Sequence, residues 1–291
     1  MMGIERFERA GWGSRVFDAI NLLFLLLLML TMIIPFLNVI SLSLSSGVAS
    51  MQPDIILLPK DFSFEGYKII WTSLDIWRPF VNSVTVTVTG TLLHVLLSSL
   101  AGYVLVHPYV PGKKLMITFI LITMMIPQEA VLIPLYVVNK DLHLINTLSV
   151  LVLSGLVSGF SILLMRNFFL SIPYEIAESA KIDGAGEFWV FGAIYMRLAT
   201  AGLATVTLFE FVRRWNMFTE PLVFINDSMK YTLQLALKSM IVDTSATSST
   251  YMVTTNVKMA GIIIAILPLI AIYPFVQRFF MKGILLGASK E

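Results

Sequence analysis

The chain has 291 residues, of which 57% are hydrophobic and 13% are charged, and its net charge is +2. A soluble domain has about a quarter of its residues charged, so this composition excludes a soluble protein and indicates an all-α polytopic membrane protein. The near-neutral charge gives no indication of a nucleic-acid partner. Without cysteine, the chain has neither disulfides nor a thiolate metal site.

The chain begins with a polar leader followed by a long apolar run. Residues 1–15 contain three arginines and are expected on the cytoplasmic side, next to a first span over 16–44. The loop that follows predicts a short interfacial helix over 64–73, which either contacts an external binding protein or anchors the chain at the headgroups. Span two is predicted over 80–106 and contains His94, either a packing residue or a proton relay.

Span three is predicted over 115–138 and is interrupted by Pro127 and Pro134. Prolines free backbone carbonyls inside the bilayer, which is tolerated only where protein or a watery cavity satisfies them. Glu129 lies between the two prolines and is a candidate for the substrate pathway, since ionisable groups inside membranes are commonly functional. The alternative is a position for Glu129 near the outer interface.

Span four is predicted over 148–170 and contains Gly155 and Gly159 in a small-xxx-small pattern. On a continuous helix these glycines share one face, so the pattern predicts a ridge that another helix approaches closely.

A polar segment over 171–197, here called the coupling segment, separates spans four and five. Residues 174–182 predict a short amphipathic helix, and Asp183-Gly184 predicts a turn in which glycine adopts the left-handed conformation. A second helical piece is predicted over 187–195. Two short helices around a glycine hinge indicate a structured element rather than a simple loop.

Span five is predicted over 198–225 and contains polar side chains in an unusual run. These are Glu210, Arg213, Arg214, Trp215 and Asn216. Glu210 is three and four residues from the arginines, so an internal ion pair is one interpretation. The other is that the arginines line a translocation cavity and bind an anionic substrate through carboxylate contacts, with Trp215 a candidate to stack on a sugar ring.

The last elements are a polar external loop over 226–257, a sixth span over 258–281 and a tail over 282–291. With six spans and both termini inside, eleven Lys and Arg residues fall on the inner side and seven on the outer side. This excess favours a cytoplasmic location for the termini and for the coupling segment. The permease domain is therefore predicted over 16–281.

The spacing within the coupling segment resembles the EAA motif of ABC importer permeases, which is Glu-Ala-Ala, three residues, Gly, nine residues, Ile, one residue, Leu-Pro. The matched positions are Glu178, Ser179, Ala180, Asp183, Gly184, Ala185 and Ile194. Ser179 replaces an alanine, and Met196-Arg197 replaces Leu-Pro. Further matches to the carbohydrate-uptake branch, whose maltose permeases are best known, are 125–127 (MIP), 134–136 (PLY), 146–147 (NT), 166–169 (RNFF), 215–216 (WN) and 277–283 (QRFFMKG).

The resemblance implies a type I importer permease fold with a cytoplasmic coupling helix that docks on an ATPase. It also implies the partners: a second homologous permease, an ABC ATPase dimer and an extracytoplasmic solute-binding protein, in a bacterial cell membrane. Glu178 and Asp183 would pair with basic groups of the ATPase, and Gly184 would permit the bend. The chain itself would be non-catalytic, with ATP and Mg²⁺ bound by the ATPase and no cofactor of its own.

The substrate implied by the resemblance is an oligosaccharide, and the arginine pair favours an acidic one of the alginate type. The alternative function is a secondary transporter driven by an ion gradient, with Glu129, His94 and Glu210 as relays. Such a transporter is expected to contain related repeated halves, which the sequence does not show. A membrane enzyme is disfavoured, because no catalytic constellation of side chains is apparent.

Overall fold

The computed structural model describes residues 12–72, 75–243 and 253–288. The predicted leader over 1–15 and the end of the tail lie largely outside these ranges. Within the described residues the structure is helical, with one isolated antiparallel bridge between Ser45 and Phe62. It divides into two compact units. The first comprises 12–72 with 253–264, and the second comprises 75–243 with 265–288.

The helices are numbered in chain order. They are α1 (Trp12–Ser43), α2 (Gly47–Ser50), α3 (Glu65–Thr72), α4 (Trp77–Val106), α5 (Lys113–Met124), α6 (Gln128–Asp141), α7 (Leu148–Leu153), α8 (Gly159–Leu170), α9 (Tyr174–Ile182), α10 (Glu187–Trp189), α11 (Met196–Leu198), α12 (Thr200–Trp215), α13 (Thr219–Phe224), α14 (Leu233–Asp243) and α15 (Thr255–Ala288). A π-helix over Val190–Tyr195 joins α10 to α11, and a 3-10 turn covers Ser228–Lys230.

In the first unit, polar side chains are buried around the start of α15. The Nδ2 of Asn256 donates to the Ser45 carbonyl at 3.2 Å, and the Asn256 backbone N–H donates to the Ser50 hydroxyl at 3.1 Å. These bonds satisfy backbone and side-chain groups that burial would otherwise leave unpaired. The short helix predicted over 64–73 is confirmed as α3, Glu65–Thr72.

Three helices among the described residues are long and apolar enough to cross a membrane: Trp12–Ser43, Trp77–Val106 and Thr255–Pro274. Two bent pairs also pass this test when taken together, Lys113–Met124 with Glu129–Asp141 at 101° and Glu187–Leu198 with Thr200–Trp215 at 82°. Counting each pair as one span gives up to five by length and composition. The first bend lies at Pro127, where the sequence predicted an interruption.

The predicted span four is not a continuous helix. Residues 154–158, here called the span-four break, separate α7 from α8. Gly155 lies in this break with a φ of +61°, and Gly159 begins α8, so the predicted ridge of small residues does not form. Gly159 still permits a close approach, because a Cβ there would lie 2.7 Å from the Met124 side chain of α5.

Two other expectations differ from the structure. The loop predicted over 226–257 contains α14, a helix that the sequence analysis did not predict. The last helix, α15, continues to Ala288, beyond the predicted end of span six at 281.

Helix α4 lies at the centre of the second unit and packs against α7, α8 and α12. One apolar cluster lies toward the coupling segment and includes Phe169, Phe191 and Tyr195. A second cluster includes Val150 and Phe224. Together they fix α4 between the coupling segment at one end and the α7–α13 region at the other.

Candidate functional site

The first half of the coupling segment forms as the sequence predicts. Helix α9 covers Tyr174–Ile182, and Gly184 follows with a φ of +91°. The Ala185 N–H donates to the Ala180 carbonyl at 2.9 Å, and the Gly184 N–H donates to the Lys181 carbonyl at 3.0 Å. This pair of bonds is a Schellman cap, which ends a helix where a left-handed residue is available. Gly184 therefore fixes the direction in which the chain leaves α9.

The matched positions of the coupling segment divide between an exposed and a packed side. Glu178, Ser179 and Asp183 are exposed, whereas Ala177 is buried. Three further positions pack against the apolar cluster of Phe169 and Tyr195, and these are Ala180, Ala185 and Ile194. The coupling segment thus packs against the helices through its small residues, and the carboxylates of Glu178 and Asp183 remain exposed.

Two apolar side chains lie near these carboxylates in sequence and are also exposed. Ile182 is 82% exposed and Phe188 is 86% exposed. Exposed apolar side chains next to charged ones are typical of a surface that binds another protein.

A cluster of four polar side chains joins the coupling segment to the end of α4, and we call it the α4 cluster: Tyr103, His107, Lys181 and Glu187. The Lys181 Nζ is 2.5 Å from Glu187 Oε1 and 3.2 Å from His107 Nε2. The Tyr103 hydroxyl donates to Glu187 Oε2 at 2.7 Å. Hydrogen bonds from Lys181 and Tyr103 lower the pKa of Glu187 to about 2, and the bond to Glu187 raises the pKa of Lys181.

Aromatic contacts reinforce this attachment. The Tyr103 ring lies 4.9 Å from the Tyr195 ring and 5.4 Å from the Phe191 ring, between centroids. Phe169 of α8 contacts Tyr195 edge-to-face at 5.4 Å. The π-helix of the coupling segment is therefore packed against both α4 and α8.

The charged run of span five forms the ion pair that the sequence allowed. Glu210 is buried, and its two oxygens accept from Arg213 at 2.8 and 2.9 Å. The Arg214 Nε also donates to Glu210, at 2.5 Å. A buried carboxylate needs such partners, because an unpaired charge in an apolar interior is costly.

Arg214 also satisfies the backbone at the span-four break. Its guanidinium donates to four carbonyls, those of Leu151, Val152, Ser154 and Gly155, at 3.0 to 3.4 Å. Helix α7 ends there, so its last carbonyls have no partner within the helix. The planar fork of arginine suits several acceptors at once. Arg214 thus stabilises an interruption that a membrane interior would otherwise disfavour.

His94 of α4 lies beside the same break and is fully buried. Its Nδ1 is 3.0 Å from the Gly155 carbonyl, which only accepts, so Nδ1 carries the proton and donates. Its Nε2 lies 2.8 Å from the hydroxyl of Ser161 on α8. Its Nδ1 also lies 3.5 Å from Glu210 Oε1. The imidazole therefore joins α4, the break and α8, and it contacts the charged run of α12.

Arg213 lies at the edge of a cavity of about 250 Å³. Its side chain is 34% exposed, and its Nη1 lies 3.7 Å from Glu220 Oε1. The lining residues are Glu129, Leu132, Arg213, Asn216, Met217, Phe218, Thr219 and Glu220. The structure thus brings together three of the six predicted pathway residues: Glu129, Arg213 and Asn216.

Arg214 and Trp215 do not face this cavity. The Trp215 indole is 2% exposed, its Nε1 donates to the Ala265 carbonyl at 2.8 Å, and its ring stacks parallel to that of Phe211. The expectation that Trp215 stacks on a sugar ring is not met in this structure, because protein encloses the ring. Arg214 is likewise occupied by backbone carbonyls and Glu210.

Sequence reasoning missed two features of this site. The α4 cluster was not predicted, although Lys181 and Glu187 flank the predicted turn at Gly184 as an opposite-charge pair. The role of Arg214 was also missed, because it depends on the break in span four. The signal for that break is the run of Ser154, Gly155 and Ser158, whose residue types favour turns.

The fold and the coupling segment together define a membrane component of a transport system, and comparison with known proteins gives the family. The model of the binding-protein-dependent transport system inner membrane component matches residues 94–285. The chain belongs to this family, and the predicted type I ABC importer permease fold is confirmed. Its members are transport subunits rather than enzymes.

Particular relatives cover nearly the whole chain. Protein LplC of Bacillus subtilis (strain 168) is 35% identical over 285 residues, covering 96% of each chain. The polygalacturonan/rhamnogalacturonan transport system permease protein YtcP of the same strain is 32% identical, covering 95% of this chain and 99% of its own length. A solved structure of a bacterial ABC transporter involved in the import of the acidic polysaccharide alginate has a TM-score of 0.85 at 30% identity, covering 93% of this chain and 98% of that one.

Proposed function

We propose that this chain is the membrane-spanning permease subunit of an ATP-driven importer that moves an oligosaccharide delivered by an extracytoplasmic solute-binding protein. It pairs with a second, homologous permease, and two copies of an ATPase bind on the cytoplasmic side. The observation that carries the proposal is the coupling segment, in which Glu178 and Asp183 are exposed beside the capped turn at Gly184.

The proposed mechanism is alternating access. ATP binding closes the ATPase dimer and moves the coupling segment, and this movement opens the spans toward the outside to accept the sugar. Hydrolysis and release return the spans to the inward-facing state. Glu178 and Asp183 pair with basic groups of the ATPase, and Ile182 and Phe188 supply apolar contact area.

The same proposal sets the orientation in a bacterial cell membrane. The coupling segment and both termini are cytoplasmic, in agreement with the eleven Lys and Arg residues assigned inside against seven outside. ATP and Mg²⁺ are held by the ATPase.

For the substrate we favour an acidic oligosaccharide. Two similar proteins are named for acidic polymers, alginate in one case and polygalacturonan in the other. Arg213 is the cationic side chain in the lining of the cavity. Glu210 and Glu220 already compensate much of its charge, and Glu129 adds a further carboxylate to the lining. The resulting preference over a neutral sugar is therefore modest, on the order of five-fold, as for a partly exposed ion pair.

Co-purification and ATPase measurements test the proposal. A tagged chain expressed together with a homologous permease and an ABC ATPase of the same organism is expected to retain both partners. Its ATP hydrolysis in liposomes is expected to rise when the binding protein is added with an acidic oligosaccharide. A chain that purifies without an ATPase, or hydrolysis that is indifferent to the loaded binding protein, would contradict it.

A further inference from the structure

Alternating access as proposed above assigns no role to the four side chains of the α4 cluster. Two of its members belong to the coupling segment, one on each side of Gly184: Lys181 on α9 and Glu187 on α10. The other two, Tyr103 and His107, lie at the end of α4. The cluster therefore bridges the turn and ties both of its arms to a single membrane helix.

The turn at Gly184 is held by the two backbone hydrogen bonds of its Schellman cap, and a Cβ there would meet no atom within 4 Å. Gly184 has no side chain with which to brace the turn, so a force applied to α9 acts on these backbone bonds. The contact between Lys181 and Glu187 crosses the turn and holds the segments on its two sides together.

Helix α4 connects the cluster to the centre of the second unit. It runs without interruption over Trp77–Val106. Along it, His94 contacts the span-four break, and Gly90 lies against the Arg214 guanidinium. A displacement at Tyr103 therefore reaches the break and the charged network of α12 through one continuous helix.

We propose that Glu187 and Lys181 are positioning residues for transport: with Tyr103 and His107 they fasten the coupling segment to α4, so that its movement is passed to α4. This inference rests on the proposed function and adds the route by which force enters the membrane. The depressed pKa of Glu187 and the raised pKa of Lys181 agree with an ion pair at neutral pH.

The number of solute molecules imported per ATP hydrolysed tests this role. In proteoliposomes containing the full transporter, Glu187→Gln is expected to lower this ratio roughly three-fold, as befits a half-exposed charged contact. ATP hydrolysis itself is expected to persist, because the ATPase still binds α9. An unchanged ratio in this variant would overturn the inference.

Two further variants separate positioning from simple loss of structure. The charge exchange Lys181→Glu with Glu187→Lys is expected to recover most of the ratio, whereas each single exchange lowers it. Tyr103→Phe removes only the hydroxyl that donates a hydrogen bond to Glu187, and it is expected to lower the ratio. Tyr109→Phe is its matched control, because Tyr109 is 80% exposed. A double exchange no better than either single one would contradict the inference.

Hydrogen–deuterium exchange tests the same contact without transport. In the purified permease pair, amides of α9 are expected to exchange faster in Glu187→Gln than in the wild type and in Tyr109→Phe. Equal exchange would overturn the inference. If the wild-type transporter imports nothing with ATP, the proposed function fails, while this exchange measurement still decides whether the cluster holds the segment.

Discussion

Arg214 and Glu210 form a buried ion pair one helical turn apart, and the same guanidinium donates to four carbonyls at the span-four break. One side chain thus neutralises a buried carboxylate and ends a helix on a neighbouring segment. Arg213 also pairs with Glu210, and its side chain is more exposed than that of Arg214. The two arginines, adjacent in sequence, therefore have different environments and are expected to tolerate substitution differently.

Arg214→Lys is expected to destabilise the protein although it keeps the charge. An ammonium group does not reach four carbonyls, so some lose their donor, at a cost of about 1–3 kcal/mol. The thermal midpoint in detergent is expected to fall by roughly 2–10 °C. Arg213→Lys is the matched control and is expected to change the midpoint little, because this side chain is partly exposed. Equal shifts in the two variants would contradict the assignment.

Gly90→Ala is expected to be destabilising because of Arg214. A Cβ at Gly90 would occupy the space of the Arg214 guanidinium. Overpacking of this kind costs about 1–3 kcal/mol. In an Arg214→Met background the guanidinium is absent, so the added effect of Gly90→Ala is expected to shrink. Additive losses in thermal midpoint would contradict the contact, and Gly13→Ala, with no atom within 4 Å, serves as control.

Gly184 is expected to be essential for coupling, whereas Gly186 is not. Gly184 has a φ of +91°, where a side chain costs about 1–2 kcal/mol, while Gly186 has a φ of −74° that alanine adopts freely. Gly184→Asp is expected to abolish ATP-driven uptake and Gly184→Ala to reduce it, with Gly186→Ala close to wild type. Capture of substrate by the binding protein is expected to stay intact in all three. Full uptake by Gly184→Asp would exclude the proposed role of the turn.

Arg213→Gln is expected to affect acidic oligosaccharides more than neutral ones. Removing the guanidinium eliminates its contact with a substrate carboxylate, worth about 1 kcal/mol, or roughly a five-fold loss of uptake. Uptake of a uronate oligomer and of a neutral oligomer of equal length is measured in the same vesicles. If both fall equally, Arg213 serves only the ion pair with Glu210.

The contribution of Glu187 to stability is expected to depend on pH. Its pKa is lowered from 4.5 to about 2, so the folded state favours the carboxylate and the stabilisation is fully present above pH 4.5. It is lost as the pH falls from about 4.5 toward 2. The difference in thermal midpoint between wild type and Glu187→Gln is expected to shrink as the pH is lowered from 4.5 toward 2. A difference that grows over that range would contradict the assigned contacts.

Local patterns predicted the coupling segment well. Helix α9 has the bounds expected from the polar and apolar spacing of 174–182, and Gly184 adopts the left-handed conformation expected of glycine after a helix. Both features depend on neighbouring residues, so the sequence contains the required information. The bend at Pro127 was predictable for the same reason.

Features that depend on distant contacts were not predictable in this way. The apolar composition of 148–170 predicted a continuous helix. The structure contains a break there, and its backbone carbonyls are satisfied because Arg214, about 60 residues later, donates to them. The burial of Trp215 likewise depends on the Ala265 carbonyl. The ion pair and the cavity contact of Arg213 were both anticipated as alternatives, and the structure contains the first and leaves room for the second.

The most direct test of the account is solute uptake by proteoliposomes that contain the complete transporter, with ATP supplied only on the side of the coupling segment. The account predicts accumulation of an acidic oligosaccharide that requires ATP, the binding protein on the opposite side and an intact Gly184. If this chain alone accumulates the oligosaccharide to the same level, driven by an ion gradient without ATP, the proposed ATP-driven import is contradicted.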